Sequence, residues 1–340
     1  MDKIEIAGLY GDSSVLVGES LANIGSYIPK TNVFIITDNN VKTNHGNKFP
    51  KFPTYCVVPG EGSKSLEVCS KIYQWLLEMG ANRNSFILGI GGGVVCDLAG
   101  FVASTFMRGI DFGFVSTSLL SQVDASVGGK NGVNLDGYKN MVGTFTQPKF
   151  VICDVSLLTT LPQEEYLNGF AEIVKHTLIA DAQMFRYLED NAEKLKYYNP
   201  ELLQKLVAHS VKIKASIVQA DEREKGERKK LNLGHTWGHA VEKVTGLPHG
   251  KSVSIGLEFA ARLSTKKGLI SNTDYLRVVN VLIALDLPVC IKDDPSKIFN
   301  AMVKDKKQNE GGIDFILIKR IGEVAIERIS FSELRTFINS

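Results

Sequence analysis

The stretch "SFILGIGGGVVCDLAGFVAS", residues 85–104, decides the fold. Its first half is a short apolar run, long enough for a buried strand and too short for a helix. The run breaks at Gly91, Gly92 and Gly93, and an apolar segment at helical spacing follows. Strand, glycine turn, helix is the opening unit of a parallel α/β sheet. The same grammar lies upstream. "NVFIITDNN" (32–40) is a β-branched run closed by a polar turn, and "TYCVVPGEG" (54–62) repeats that form. "SLEVCSKIYQWLLEMG" (65–80) places Leu66, Cys69, Ile72, Tyr73, Leu76 and Leu77 at helical spacing, with Gly80 as a C-cap.

Past about Asp154 the pattern changes. Residues 161–181, 200–224, 252–268 and 273–288 read as helices, and strand signals return only at 312–329 as a terminal hairpin. The expected organisation is an α/β domain over 1–154 followed by a mostly α-helical domain over 155–340. The length of 340 residues agrees with two cores. Lys+Arg 39 against Asp+Glu 37 leaves a net charge of +2, which gives no overall field for nucleic acid. The N-terminal segment has no apolar core of signal-peptide length, and no apolar run is long enough to span a bilayer. Cys56, Cys69, Cys96, Cys153 and Cys290 form no CxxC pair, so a reducing, cytoplasmic setting is expected.

Several stretches carry chemistry, each with a bland alternative. In "GIGGGVVCD" (89–97) the glycines let backbone N–H groups approach a phosphate at a helix N-terminus. The pattern is not GxGxxG, but its α/β setting favours a pyrophosphate over a mere tight turn. Asp38 ends the first clear strand, where an acid can hold an adenosine ribose or simply form a turn. In "PGEGSK" (59–64), Glu61 and Lys64 could meet a ribose and a phosphate, although a solvated turn is the simpler reading. "STSLLSQVDASVGGKNGVNLDGYKNMVGTFTQP" (116–148) reads as a long ordered loop in which Lys130, Lys139 and Asn140 could converge on an anion. "GFAEIVKHTLIAD" (169–181) puts Glu172, Lys175 and His176 on one helix face. An ordinary intrahelical ion pair is the simpler reading of that face.

"NLGHTWGHAVEKVTGLPHG" (232–250) holds His235, His239 and His249, half of the six histidines in the chain. His235 and His239 share a helix face, and His249 is expected in a turn before the next helix. Two or three imidazoles with one carboxylate make an open zinc-type site. Spacing does not say which two imidazoles bind.

Taken in order, "GGGVVCDLAGFVASTFMRG", "QVDASVGGKNGVN", "KNMVGTFTQP", "TLP…GFAEIVKH", "KAS…ADERE", "RKKLNLGHTWGHAVE" and "DKK" resemble the 3-dehydroquinate synthase family, from roughly Asp38 to Lys307. Each motif is weak alone; their order and spacing are specific. The resemblance implies a Rossmann-like parallel sheet and a helical second domain. It implies one divalent metal, zinc (or cobalt), on Glu172, His235 and His249, with His239 beside the substrate. It implies NAD held by Asp38, Glu61, Lys64, Gly93, Val94, Val95, Asp97, Thr117, Ser118, Lys139, Leu157, Thr159 and Thr160. It implies a substrate pocket of Asp124, Lys130, Asn140, Lys175, Lys214, Arg228, Asn232 and Lys306, with Arg108 reaching across a homodimer.

The implied substrate is a sugar acid phosphate, 3-deoxy-D-arabino-heptulosonate 7-phosphate, converted to 3-dehydroquinate in the shikimate pathway to aromatic amino acids. Transient NAD-mediated oxidation at C5, loss of phosphate, reduction, ring opening and aldol closure are the implied steps. One departure is Lys251, where the family often carries an acid after the "HG" pair. Rival readings are another sugar-phosphate cyclase and a metal-dependent polyol dehydrogenase.

Overall fold

The computed structural model describes residues 1–305 and 311–338. The strands are β1 Asp2–Ile6, β2 Ser13–Val17, β3 Val33–Asp38, β4 Thr54–Val57, β5 Phe86–Gly91, β6 Asp111–Ser116, β7 Lys130–Leu135, β8 Tyr138–Phe145, β9 Phe150–Cys153, β10 Gly312–Arg320 and β11 Glu323–Ser330. The helices are α1 Asn39–His45, α2 Leu66–Glu78, α3 Gly93–Thr105, α4 Gln163–Asn168, α5 Phe170–Ala180, α6 Ala182–Leu195, α7 Pro200–Ala220, α8 His235–Thr245, α9 His249–Lys266, α10 Asn272–Ala284, α11 Pro295–Asp305 and α12 Phe331–Ile338. By internal packing the chain divides into two units. One is Met1–Tyr166 with Pro200–Glu222; the other is Leu167–Asn199 with Arg223–Ser340.

The first unit is built on a seven-stranded sheet in the order β1-β2-β9-β6-β5-β3-β4. All neighbours are parallel except β1 with β2. β5 is buried at every position, which is why 86–91 reads as a continuous apolar run rather than an alternating one. Alternate residues still take opposite faces: Val33, Ile35, Phe86, Leu88, Ile90, Phe150 and Ile152 share one core cluster. The order reverses at β3, with β4 on one side and β5 on the other. The carboxyl ends of β3 and β5 therefore flank a topological switch point, the place where such sheets bind ligands.

Two differences from the sequence reading have physical causes. Residues 116–148 are not one loop. A π-helical turn, Ser121–Ala125, leads into the antiparallel β7–β8 hairpin. Asp136 and Gly137 close that hairpin with φ of 50° and 79°, the left-handed pair of a type I′ turn. A division at residue 154 also fails to separate the packing units, because α7 packs on β1, β2 and the Ser121–Ala125 turn.

The second unit is helical, with the expected terminal hairpin formed by β10 and β11. Its core joins Trp237, Val241, Phe259 and Leu263 to Ile298, Phe315, Leu317 and Phe337. The Trp237 and Phe259 rings stack at 4.2 Å and tie α8 to α9.

Candidate functional site

In the first unit, the turn after β5 enters α3 with Gly92 as a cap that has no side chain to offer. The amides of Gly93, Val94 and Val95 have no acceptor within the helix, which leaves a set of donors and the positive dipole end for an anion. Val95 is buried, and a Cβ on Gly91 would lie 2.5 Å from its own, so Val95 can present only its backbone. Thr117 N–H donates to Gly91 O at 2.9 Å, which fixes the end of β6 beside the turn. Asp38 Oδ1 accepts from Val41 N–H at 2.9 Å and so caps α1, the role the bland reading gave it. Glu61 accepts from Asn134 Nδ2 at 2.9 Å, and Asn134 Oδ1 accepts from Asn140 N–H at 3.0 Å, linking the 59–64 turn to the hairpin. Lys130 and Lys139 are exposed on that hairpin. Thr160 Oγ1 lies 2.8 Å from His45 Nε2, Thr159 Oγ1 donates to Ser156 O, and Leu157 is core.

Two ion pairs stand here. Lys214 Nζ donates to Asp124 Oδ1 at 2.7 Å and to Asp124 O at 2.6 Å. Lys64 Nζ lies 2.5 Å from Asp97 Oδ2. Burial pushes the Asp97 carboxyl up from its ordinary 3.8 to about 6, against the pull of the Lys64 ammonium. The folded chain then holds this proton to higher pH than the unfolded chain does. Stability from this group is greatest below pH 4 and is lost as pH rises to 6, by at most about 3 kcal/mol at about 1.4 kcal/mol per unit. The side chain keeps 18% exposure, and solvent screening reduces the effect. Asp97→Asn is expected to remove this slope. Urea denaturation of both proteins at pH 4, 5, 6 and 7 checks it; parallel pH profiles would place the titration elsewhere.

Arg108 stands apart from this cluster. It sits in an exposed turn with φ of 70°, between Met107 and Gly109, which also have positive φ. The turn lies at the C-terminal end of α3, about 20 Å along the helix from the glycine turn.

In the second unit, α5, α8 and α9 bring Glu172, His235 and His249 together, with one ligand atom from each lying within 4.8 Å of the others. Glu172 Oε1 is 3.4 Å from His235 Nε2 and 3.2 Å from His249 Nε2. His235 Nδ1 faces Leu233 O at 3.1 Å, so a proton there leaves the Nε2 lone pair turned to Glu172. Glu172 and Lys175, both buried, form an ion pair within α5. Burial opposes the charge on Glu172, but the Lys175 ammonium, His235 and His249 outweigh it and hold the carboxyl well below the usual range. Burial lowers His249, yet hydrogen bonds to Glu172 and Glu242 raise it to about 9. The pocket thus favours positive charge, and its N₂O donor set, with a carboxylate biased towards its ionised form, fits a zinc or cobalt ion.

His249 is the first residue of α9, not part of a preceding turn. Pro248 at the cap position offers no side-chain acceptor. Asn168 supplies one instead: its Oδ1 accepts from Lys251 N–H at 2.9 Å and seats the start of α9 against the entry to α5. His239, one turn after His235, is exposed, with its ring 5.1 Å from that of His235 and 6.0 Å from that of His249. A second group, His239, Glu242 and His249, also lies within ligand distance. Arg228 is buried in the turn before α8, where Asn232 Nδ2 donates to Glu224 Oε1 at 2.5 Å. Lys306 lies outside the described residues. Glu242, Glu224 and Asn168 were not singled out by sequence. Only Glu242 left a signal, standing three residues after His239 and seven after His235, on their helix face.

Comparison with known proteins agrees with both halves. Residues 54–168 match the model of the 3-dehydroquinate synthase N-terminal domain, and residues 169–308 match that of the C-terminal domain. A 3-dehydroquinate synthase of Dehalococcoides mccartyi (strain CBDB1) is 43% identical over 324 residues, covering 92% of this chain and 90% of the relative. Among solved structures, a 2-deoxy-scyllo-inosose synthase complexed with carbaglucose-6-phosphate, NAD+ and Co2+ superposes with a TM-score of 0.89. It is 26% identical, and 99% of each chain is covered. The 2-epi-5-epi-valiolone synthase ValA of Streptomyces hygroscopicus subsp. jinggangensis 5008, with NAD+ and Zn2+ bound, gives a TM-score of 0.86. It is 25% identical, covering 97% of this chain and 96% of that one. A match to both domain models, joined to a relative of this identity along nearly the whole length, fixes the assignment: the chain belongs to the 3-dehydroquinate synthase family.

Proposed function

We propose that the chain catalyses the 3-dehydroquinate synthase reaction, converting 3-deoxy-D-arabino-heptulosonate 7-phosphate to 3-dehydroquinate and phosphate, a carbon–oxygen lyase cyclisation of the shikimate pathway. The observation that carries the reading is the 43% identity to a protein of that name over 92% of the chain. The convergence of Glu172, His235 and His249 supports it.

In this reading Glu172, His235 and His249 hold zinc, which as a Lewis acid would polarise substrate hydroxyls. NAD would supply reversible hydride transfer at C5. The rest is the work of the chain's own groups. The amides of Gly93, Val94 and Val95 receive the pyrophosphate, with Asp38, Glu61, Lys64, Asp97, Thr117, Ser118, Lys139, Leu157, Thr159 and Thr160 around the nucleotide. Lys130, Asn140, Lys175, Lys214, Arg228, Asn232 and Lys306 take the carboxylate and phosphate of a doubly anionic substrate. Lys214 and Lys175 enter already paired with Asp124 and Glu172, so they are pre-oriented rather than recruited from solvent. His239, exposed beside the proposed metal ligands, would pass a proton at the leaving phosphate. A homodimer is part of the proposal, with Arg108 reaching a neighbouring copy. So is a cytoplasmic setting; among the described residues no helix is long and apolar enough to cross a membrane.

Phosphate release from the heptulosonate phosphate, followed with NADH absorbance at substoichiometric NAD and added zinc, tests the reading. The expected result is phosphate in many-fold excess over NAD with no accumulation of NADH. Stoichiometric NADH would make the chain a dehydrogenase. Turnover only with sugar phosphates lacking the carboxylate would make it a different cyclase, of the kind whose inosose synthase shares this fold at a TM-score of 0.89 and 26% identity.

A further inference from the structure

His249 lies between two carboxylates. Its Nε2 faces Glu172 at 3.2 Å, and its Nδ1 faces Glu242 Oε2 at 3.3 Å. Both carboxylates are shielded, Glu172 at 0% and Glu242 at 14% side-chain exposure. His235 repeats the arrangement with a different acceptor: Nε2 towards Glu172 and Nδ1 towards the Leu233 carbonyl. Each imidazole thus has one nitrogen aimed at the ligand cluster and the other held by a fixed acceptor. Because Nδ1 of His249 is engaged by Glu242, the two cannot both be direct ligands of one ion through those atoms without breaking this hydrogen bond. Glu242 reaches His249 because α8 carries it two turns beyond His235, on the face turned to the start of α9.

We propose that Glu242 is a positioning residue for the metal. It accepts the Nδ1–H of His249, fixes the tautomer that leaves Nε2 free to bind, and holds the ring plane towards Glu172 and His235. The inference rests on the reading of Glu172, His235 and His249 as metal ligands. Electrostatics point the same way. Lys175 already neutralises Glu172 through their buried pair, so a divalent ion gains little net negative charge from its carboxylate ligand. Glu242 brings a second carboxylate to the cluster without occupying a coordination position. An acceptor behind a ligating imidazole raises its basicity, and losing such a partner weakens metal binding by about 10–100-fold.

The test measures Co2+ and Zn2+ affinity by competition with a chromophoric chelator, alongside the visible spectrum of the Co2+-loaded full chain. Glu242→Ala is expected to weaken binding at least tenfold. Glu242→Gln, which keeps an acceptor and the shape but no charge, should lose less, and both should keep the wild-type Co2+ band positions because the ligands are unchanged. His249→Ala should change the spectrum itself. Binding by Glu242→Ala and Glu242→Gln within twofold of wild type would overturn the proposal. So would a spectrum in Glu242→Gln altered as in His249→Ala, which would make Glu242 a direct ligand. A wild-type chain that binds neither ion would instead remove the underlying metal reading. Glu242→Gln is near-isosteric and keeps the comparison open if Glu242→Ala does not fold.

Discussion

Glu172→Ala is expected to destabilise the fold by about 3–5 kcal/mol and to lower turnover by more than about 10³-fold. The two losses have different origins. Glu172 is fully buried and Lys175 nearly so, and they neutralise each other within one helix. Removing the carboxylate takes from the buried Lys175 ammonium the counter-charge it meets within α5, and deleting one partner of a buried pair is far costlier than replacing both. The turnover loss would come from losing a proposed ligand whose carboxylate faces both imidazoles, and with it several kcal/mol of transition-state polarisation.

Companion variants separate the two. The double variant Glu172→Leu with Lys175→Met removes both charges and should recover most of the stability, since buried pairs replaced by apolar side chains are often neutral or better. Its turnover should stay lost. Lys175→Met alone removes the ammonium from beside buried Glu172 and leaves His235 and His249 to offset its charge, so the metal-free protein should be destabilised while its affinity for a divalent cation rises. Added zinc should then raise its urea midpoint more than that of the wild type, by mass action on the folded state. Urea denaturation with and without zinc, with phosphate release on the same preparations, checks all three. Turnover of Glu172→Ala within tenfold of wild type would remove Glu172 from the metal site. A double variant no more stable than the single would show that loss of the Lys175 counter-charge is not the cause.

Much of this architecture is legible in sequence because local and tertiary preferences agree. The 86–91 run is apolar throughout since β5 is covered on both faces, and the glycines that end it sit where the sheet has its switch point. The long helices announce themselves by apolar spacing. What escaped has no local signature or a short one. The Asp136–Gly137 pair is a strong hairpin signal, but it is hidden among five glycines in 116–148. Nothing in the spacing of 200–220 says which unit α7 covers, because an amphipathic stripe fits either core. The histidine cluster was half readable. Residues 235 and 239 share a face by arithmetic, whereas the approach of His249 to Glu172 depends on how α9 meets α8 and on the Asn168 acceptor, 83 residues away in sequence from Lys251.

That helix contact carries the second large effect. Gly256→Ala is expected to destabilise the chain by about 3 kcal/mol and to weaken metal binding by at least about 100-fold. A Cβ at Gly256 would strike the carbonyl oxygen of Gly234 and lie 2.9 Å from Gly238 N; one at Gly238 would lie 2.8 Å from Ser252 O. The backbones of α8 and α9 therefore touch, and the obstacle is main chain, which cannot rotate aside as a side chain would. A methyl at 256 must push the helices apart. Each helix begins with a proposed ligand, His235 and His249, whose ring centroids are 5.4 Å apart, while coordination tolerates only about 0.2 Å of drift in each bond. Leu263→Ala is the matching control. It empties a buried position on the same helix and should destabilise by about 2–5 kcal/mol, but it lies about 20 Å along α9 from His249. Urea midpoints and chelator competition on the two variants decide the matter. Equal stability losses with metal affinity lost only in Gly256→Ala would assign the ligand spacing to this backbone contact. Affinity retained in both would mean that the ligands find their spacing by another route.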